Sequence, residues 1–356
     1  MLNTRKLLNF EAEAESLLRG VLAKAPGLKV QALRTSLDLP DTGIDIVCSI
    51  SVLERQHELV CEVKTTGQPR HVREAIFQLK RYVAQRDGIP IFIAPYLSED
   101  ARALCIESGV GYLDGYGNAH IAFPGFFVSC TMAGKPTAER RDLKSLFKPK
   151  SASVLRTLLR EPTTPWRVAD LAKAAMVSVG HVSNVRNSLV ERGWAEIADG
   201  GVFLSKPNSL LDTWRDEYSP PAGERRSFYT TQHGSRLIET LRDQWDGLLQ
   251  HGIVTFASFS AANWIAPFAR TGTHIFYADE EGLEHLCEIL GLAPTARGEN
   301  VAVTVVDDLA LLRDSIEPAP GIHCTSPVQT YLDLYVSGER GREAAEHLRR
   351  ETLQWS

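Results

Sequence analysis

The chain has 356 residues, a length that suits roughly two to three domains, and its 44% apolar content supports sizeable buried cores. No uncharged apolar run reaches the roughly 18 residues that a membrane-spanning helix needs, and the opening segment MLNTRKLLNFEAEAES turns acidic where a signal peptide would be apolar. A cytoplasmic protein without membrane association is expected, and six scattered cysteines without a C-x-x-C pair read as reduced core thiols rather than a zinc site.

The net charge of −5 is unevenly spread. Residues 134–192 hold twelve Lys/Arg against five Asp/Glu, whereas residues 239–317 hold four Arg against thirteen Asp/Glu. A basic middle beside an acidic tail points to a polyanion as the partner of the first and not of the second.

In chain order, Leu7 to Ala25 has helical periodicity. TGIDIVCSISVL (Thr42 to Leu53) alternates as a β-branched strand, and ELVCEVK (Glu58 to Lys64) reads as its hairpin partner. PRHVREAIFQLKRYVAQR (Pro69 to Arg86) gathers Val72, Ile76, Leu79 and Val83 on one helical face. IPIFIAPY reads as a buried strand, Ser98 as the cap of a helix to Ser108, and Gly109 to Cys130 as two closing strands. Residues 1–132 thus predict a mixed sheet flanked by helices.

Polar, basic residues 133–150 are expected to be a linker. Residues 151–208 read as a winged helix-turn-helix: SASVLRTLLRE, RVADLAKAA and SVGHVSNVRNSLVERG are three helices, and WAEIADGGVFLS is a hairpin turning at Gly200-Gly201. In residues 209–356, strands (IVTFASF, HIFYAD, NVAVTVVDD) alternate with helices, which predicts an α/β domain. The expected fold class is α/β multidomain.

The chemistry-bearing residues cluster in the first region. Phosphodiester hydrolysis needs hard oxygen ligands for a metal and a cation near the developing charge. Glu62 and Lys64 are two apart on a strand and share a face, and Asp45 lies on the neighbouring strand. Glu11 or Glu15 of the first helix would add a further acid. The plainer reading of Asp45 and Glu62 is ordinary ion pairing with Lys64 and Arg81.

In the middle segment the third helix would enter a DNA major groove by its N-terminal residues. Ser178, His181, Ser183, Asn184, Arg186 and Asn187 would face base edges, and Arg167, Lys206 and the Gly200-Gly201 wing would face phosphates. The alternative is a three-helix module for protein contacts.

The set "GID" with Asp45, "EVK" with Glu62 and Lys64, and "FQLKRY" with Gln78 and Tyr82 resembles the PD-(D/E)xK nuclease superfamily, the last motif being similar to the Q-x-x-x-Y helix of RecB-like members. The resemblance implies a restriction-endonuclease-like fold. It implies Asp45, Glu62 and Lys64 as catalytic residues with Gln78 and Tyr82, and Mg²⁺ held by Asp45 and Glu62; Glu15 of the first helix is the further metal-holding acid expected beside them. GYLDGYGNAHI, the helix-turn-helix and SPVQTYLDLYVSGERGREAAEHLR are together similar to the AbiEi-related regulators of type IV toxin-antitoxin systems. That resemblance implies DNA-binding transcriptional control. The expectation is a regulator of double-stranded DNA, with a metal-dependent endonuclease as the alternative. The acidic C-terminal region is expected to serve a protein partner or self-association. HGSRL (His233 to Leu237) is similar to the Gly-Ser of nucleotidyltransferases but lacks the Asp-x-Asp pair those enzymes need for metal.

Overall fold

The computed structural model describes residues 2–35, 43–268 and 272–355, and the chain divides into two compact units, 1–140 with 189–193 and 141–188 with 194–356. No helix among these residues is long and apolar enough to cross a membrane.

The first unit holds α1 (Leu2–Leu22), β1 (Leu28–Thr35), β2 (Ile46–Val52), β3 (Arg55–Val63), α2 (Pro69–Val83), β4 (Ile89–Ala94), α3 (Glu99–Glu107), β5 (Gly111–Asp114), β6 (Ala119–Phe123) and β7 (Phe126–Cys130). Its seven strands lie side by side in chain order. The outer pairs are antiparallel, while β3, β4 and β5 run parallel because α2 and α3 carry the chain back between them. Alternation along the strands builds two cores. Phe10, Ala14, Leu18 and Leu22 of α1 pack on Cys48, Ile50, Leu59 and Cys61; Val72, Ala75, Ile76 and Leu79 of α2 pack on Val47, Val60 and Phe92 across the sheet. The expected mixed sheet is present, with three closing strands where two were expected and with β1 in addition. Ser98 caps α3 as expected, accepting from the Ala101 N–H at 3.3 Å. Thr42, where the first strand was expected to open, lies outside the described residues.

Residues 133–150 are not a linker. They carry α4 (Thr137–Leu146), which buries Leu143 and Leu146 at a three-residue spacing, and Pro149 opens the next helix. That helix is α5 (Pro149–Arg160), followed by α6 (Val168–Ala174), α7 (Val179–Glu191), the hairpin β8 (Ala195–Ala198) and β9 (Gly201–Leu204), and α8 (Pro207–Asp216). The three helices and the hairpin fall where the sequence puts them. The boundary expected at residue 208 does not exist, because α5 is buried from Ser151 to Leu159 inside the second unit.

The rest of that unit comprises β10 (Gly223–Tyr229), α9 (Ser235–His251), β11 (Val254–Phe256), α10 (Ser258–Ile265), β12 (His274–Ala278), α11 (Glu280–Leu290), β13 (Ala293–Pro294), β14 (Val301–Val306), α12 (Leu309–Arg313), β15 (Ser315–Ala319), β16 (Ile322–Thr325), α13 (Pro327–Tyr335) and α14 (Glu339–Thr352). Its seven-stranded sheet is mixed, in the order β13-β10-β14-β12-β11-β16-β15. α5 packs on α12 and α13.

Candidate functional site

The register of the β2–β3 hairpin pairs Ile46 with Cys61, so Asp45 comes to lie beside Glu62 and Val63. Asp45 sits one residue ahead of β2, not in mid-strand. Its N–H donates to the Cys61 carbonyl at 3.2 Å, and its Oδ2 accepts from the Val63 N–H at 2.6 Å. Glu62 shares the face of Val60 and is 2% exposed. Its Oε1 accepts from the Lys64 ammonium, whereas its Oε2 is buried without a hydrogen-bond partner. Lys64, just past the strand, keeps its head half exposed.

Burial pushes the Glu62 carboxyl up to about 7, and the neighbouring Asp45 charge pushes the same way against the pull of Lys64. Asp45 is also raised, again by burial first, with the Val63 N–H and Lys64 opposing. Glu11 of α1 adds negative charge to both. Acids outnumber cations here, so the pocket repels itself at neutral pH and gains from a further positive charge. Among the described residues no three His, Cys, Asp or Glu side chains converge as a metal-holding group.

The other expected members stand apart. Glu15 is paired with Arg19 one turn on, at 2.9 Å, and the charge of this pair acts on Cys48. Glu11, not Glu15, is therefore the α1 acid acting on the pocket. Gln78 is exposed on α2, and half-buried Tyr82 lies under the Arg86 guanidinium at 4.7 Å. Neither hydrogen-bonds the carboxylates. The physical reason is direction: α2 begins near the end of β3 and runs back, so Gln78 lies roughly 14 Å along the axis from Pro69. Arg81 is exposed and makes no pair with Glu62, whose ammonium partner is Lys64.

GYLDGYGN is a fold clamp. Buried Asp114 accepts from the N–H groups of Leu97 (2.9 Å), Tyr116 (3.0 Å) and Asn118 (2.8 Å) and from the Asn118 amide (2.8 Å). Asn118 in turn accepts from Arg102 and from the Met132 N–H. Sequence reading missed a second polar group in this unit, where Glu139 pairs with buried Arg192 and accepts from the Gln68 amide at 3.3 Å.

In the second unit, a four-residue turn joins α6 to α7, and Met176 within it takes the left-handed conformation (φ 54°) that such turns usually give to glycine. Val182, Val185 and Leu189 bury one face of α7. The opposite face exposes Asn184 and Asn187, and Ser178 and Val179 are exposed where the helix begins. Ser183 is half-buried and donates to the Val179 carbonyl (3.0 Å); Arg186 donates to the Asn187 side-chain carbonyl (3.0 Å). The Ser178 hydroxyl accepts from the His181 N–H (3.3 Å), and the His181 ring meets the Ser151 hydroxyl at 3.1 Å. Arg167 is exposed at the start of α6, and Lys150 and Lys173 line a groove of about 350 Å³ with Ser178 and His181. The hairpin differs from expectation. Ala198 pairs with Gly201, so Asp199-Gly200 make the turn, and exposed Glu196 and Asp199 make this an acidic surface that repels phosphate.

No family model, curated protein or solved structure matches this chain.

SPVQTYLDLY, within α13, forms a second buried polar cluster. Asp333 accepts from the Tyr218 hydroxyl and from the Gln329 amide (3.0 Å), and Gln329 also donates to the Tyr218 oxygen (2.7 Å). Arg156 of α5, 3% exposed, pairs with Asp314 at 2.9 Å and donates to Gln329 (3.3 Å). Ser326 donates to the same Asp314 oxygen at 2.8 Å, and Arg160 takes the other. These contacts tie α5 to α13, although Asp333 Oδ2 is itself buried without a hydrogen-bond partner.

Proposed function

We propose that the protein is a DNA-binding transcriptional regulator, with α6 and α7 as a helix-turn-helix and β8–β9 as its wing, of the kind the AbiEi resemblance implies. One observation carries this reading. The face of α7 opposite its apolar seam presents Asn184 and Asn187 to solvent, and Lys150 and Lys173 line a groove with Ser178 and His181 at its leading end. Asn suits adenine, Arg186 suits guanine, and the lysines and Arg167 suit phosphates. Duplexes selected from a random pool should bind the chain with affinity falling steeply as salt rises. Asn184→Ala with Arg186→Ala should weaken the selected duplex by about 1–3 kcal/mol for each lost base contact. Unchanged affinity in that double variant would remove α7 as the reading element.

A second reading, a metal-dependent deoxyribonuclease on a PD-(D/E)xK-like fold, is favoured by the unpartnered Glu62 Oε2 beside Asp45 and Glu11. A hard-oxygen pocket with surplus negative charge fits Mg²⁺, with Asp45 and Glu62 as the residues that would hold it. Such an ion would supply charge for the scissile phosphate and acidify a water. Lys64 would hold positive charge at the pocket mouth. Duplex, single-stranded and branched DNA incubated with Mg²⁺ or Mn²⁺ test it: cleavage that persists in Glu62→Gln would come from another site.

A further inference from the structure

At one end of the second sheet lies a cavity of about 530 Å³, within the range of small-molecule sites. It opens where β10 and β11 end and β12 begins. Its walls are aromatic: Trp264 of α10, the buried Phe256, and His274, whose ring lies 6.5 Å from that of Phe256. The Arg242 guanidinium stacks on Trp264 at 5.5 Å and fixes the plane of the indole.

The polar groups on the rim are directional. Asn300 is locked to the Thr230 backbone: its oxygen accepts from the Thr230 N–H at 2.9 Å and its amide donates to the Thr230 carbonyl at 2.8 Å. Its amide therefore donates to His233 Nδ1 as well, at 3.3 Å, which leaves the His233 proton on Nε2 as a free donor. Gln232 offers the opposite function, because its Oε1 is buried without a hydrogen-bond partner. Exposed Asn263 adds an amide with both a donor and an acceptor. Burial holds the His274 ring below the usual histidine range, so it stays neutral at physiological pH. Among the described residues that line the cavity none is Asp, Glu, Lys or Arg.

We propose that this cavity binds a nucleobase, stacked on Trp264 and read at its edge by Gln232, His233 and Asn263. Flat apolar walls suit the faces of a heterocycle, and alternating donors and acceptors suit its edge. A free nucleoside and an unpaired base of a nucleic-acid strand present the same chemistry.

Calorimetric titration of the full chain tests this, with adenosine, guanosine, cytidine and uridine in one arm and short single-stranded homo-oligomers in the other. Saturable one-site binding of a nucleoside is expected if the ligand is free, and of an oligomer alone if it is an unpaired base. Either should weaken about tenfold or more in Trp264→Leu, the usual loss when a base loses its stacking partner. Asn263→Ala, on an exposed position, gives the same test without touching the packing. Asn184→Ala with Arg186→Ala should leave this binding intact, which separates it from duplex recognition by α7. The proposal is overturned if no probe binds, or if binding is indifferent to both Trp264→Leu and Asn263→Ala.

Discussion

Glu62 and Asp333 are both buried acids, one in each unit, and burial raises both carboxyls, to about 7 and about 6. Their surroundings differ in sign. Around Asp333 the further influences all favour the carboxylate: the hydroxyls of Tyr218 and Tyr277, the Gln329 amide and the Arg156 charge. Around Glu62 the next influence is another acid, Asp45, followed by Lys64 and then by Glu11. Each carboxylate keeps one oxygen without a hydrogen-bond partner, Asp333 Oδ2 and Glu62 Oε2, so what separates the two is the charge around them. Only around Glu62 do further acids add to the burial, a surplus of negative charge that a cation would relieve.

Stability is the sharpest way to break this comparison. Asp333→Ala should cost about 3 kcal/mol in chemical denaturation, because the Tyr218 hydroxyl and Gln329 amide lose a buried acceptor. Glu62→Gln should leave stability unchanged or raise it, since it removes a self-repelling charge. Equal losses in the two variants would erase the distinction drawn between the sites.

The pH dependence comes next. Below pH 4.5 Glu62 is protonated in both the folded and the unfolded chain. Between 4.5 and about 7 the unfolded chain ionises first, so stability falls as pH rises through that window. Asp333 adds a fall between 3.8 and about 6. Glu62→Gln should therefore flatten the curve between pH 6 and 7 and reduce the slope between 4.5 and 6 to the Asp333 share; a slope that survives above pH 6 would assign the effect to another group.

Cation binding gives a smaller effect of opposite sense. Mg²⁺ or Mn²⁺ at ten times its dissociation constant should stabilise the chain by about 1.4 kcal/mol. The shift should appear at pH 8, fade at pH 5 and vanish in Glu62→Gln, as read by thermal denaturation. The least change is expected from Glu15→Ala, which removes a surface pair with Arg19 and should alter stability by less than about 0.5 kcal/mol. That variant should keep the cation response, while Glu11→Gln should reduce it.

The convergence of Asp45, Glu62 and Lys64 was legible because strand side chains repeat every two residues and a hairpin leaves few registers. Which α1 acid joins them was not. Glu11 and Glu15 follow Phe10 and Ala14 of the buried stripe, so they share one flank a turn apart, and only the docking of α1 on the sheet separates them. β1 escaped notice because it is half exposed and its register shifts between Val30 and Ala32, which spoils the alternation. α13 was hidden for the opposite reason: Gln329, Thr330 and Asp333 are as buried as its leucines, so it shows no polar face. Gln78 and Tyr82 had the right spacing, but spacing along a helix says nothing about which end of the sheet its face meets.

The Asp114–Asn118 clamp separates two kinds of inheritance. It ties the end of β5 to the loop before α3 and touches none of the pocket acids. A descendant could exchange Glu62 for a neutral residue and keep this sheet intact, whereas one that lost Asp114 would forfeit the turn on which β6 depends. Within a lineage of such chains, Asp114 and Asn118 would trace common ancestry of the scaffold, and Glu62 would report which branches kept the chemistry.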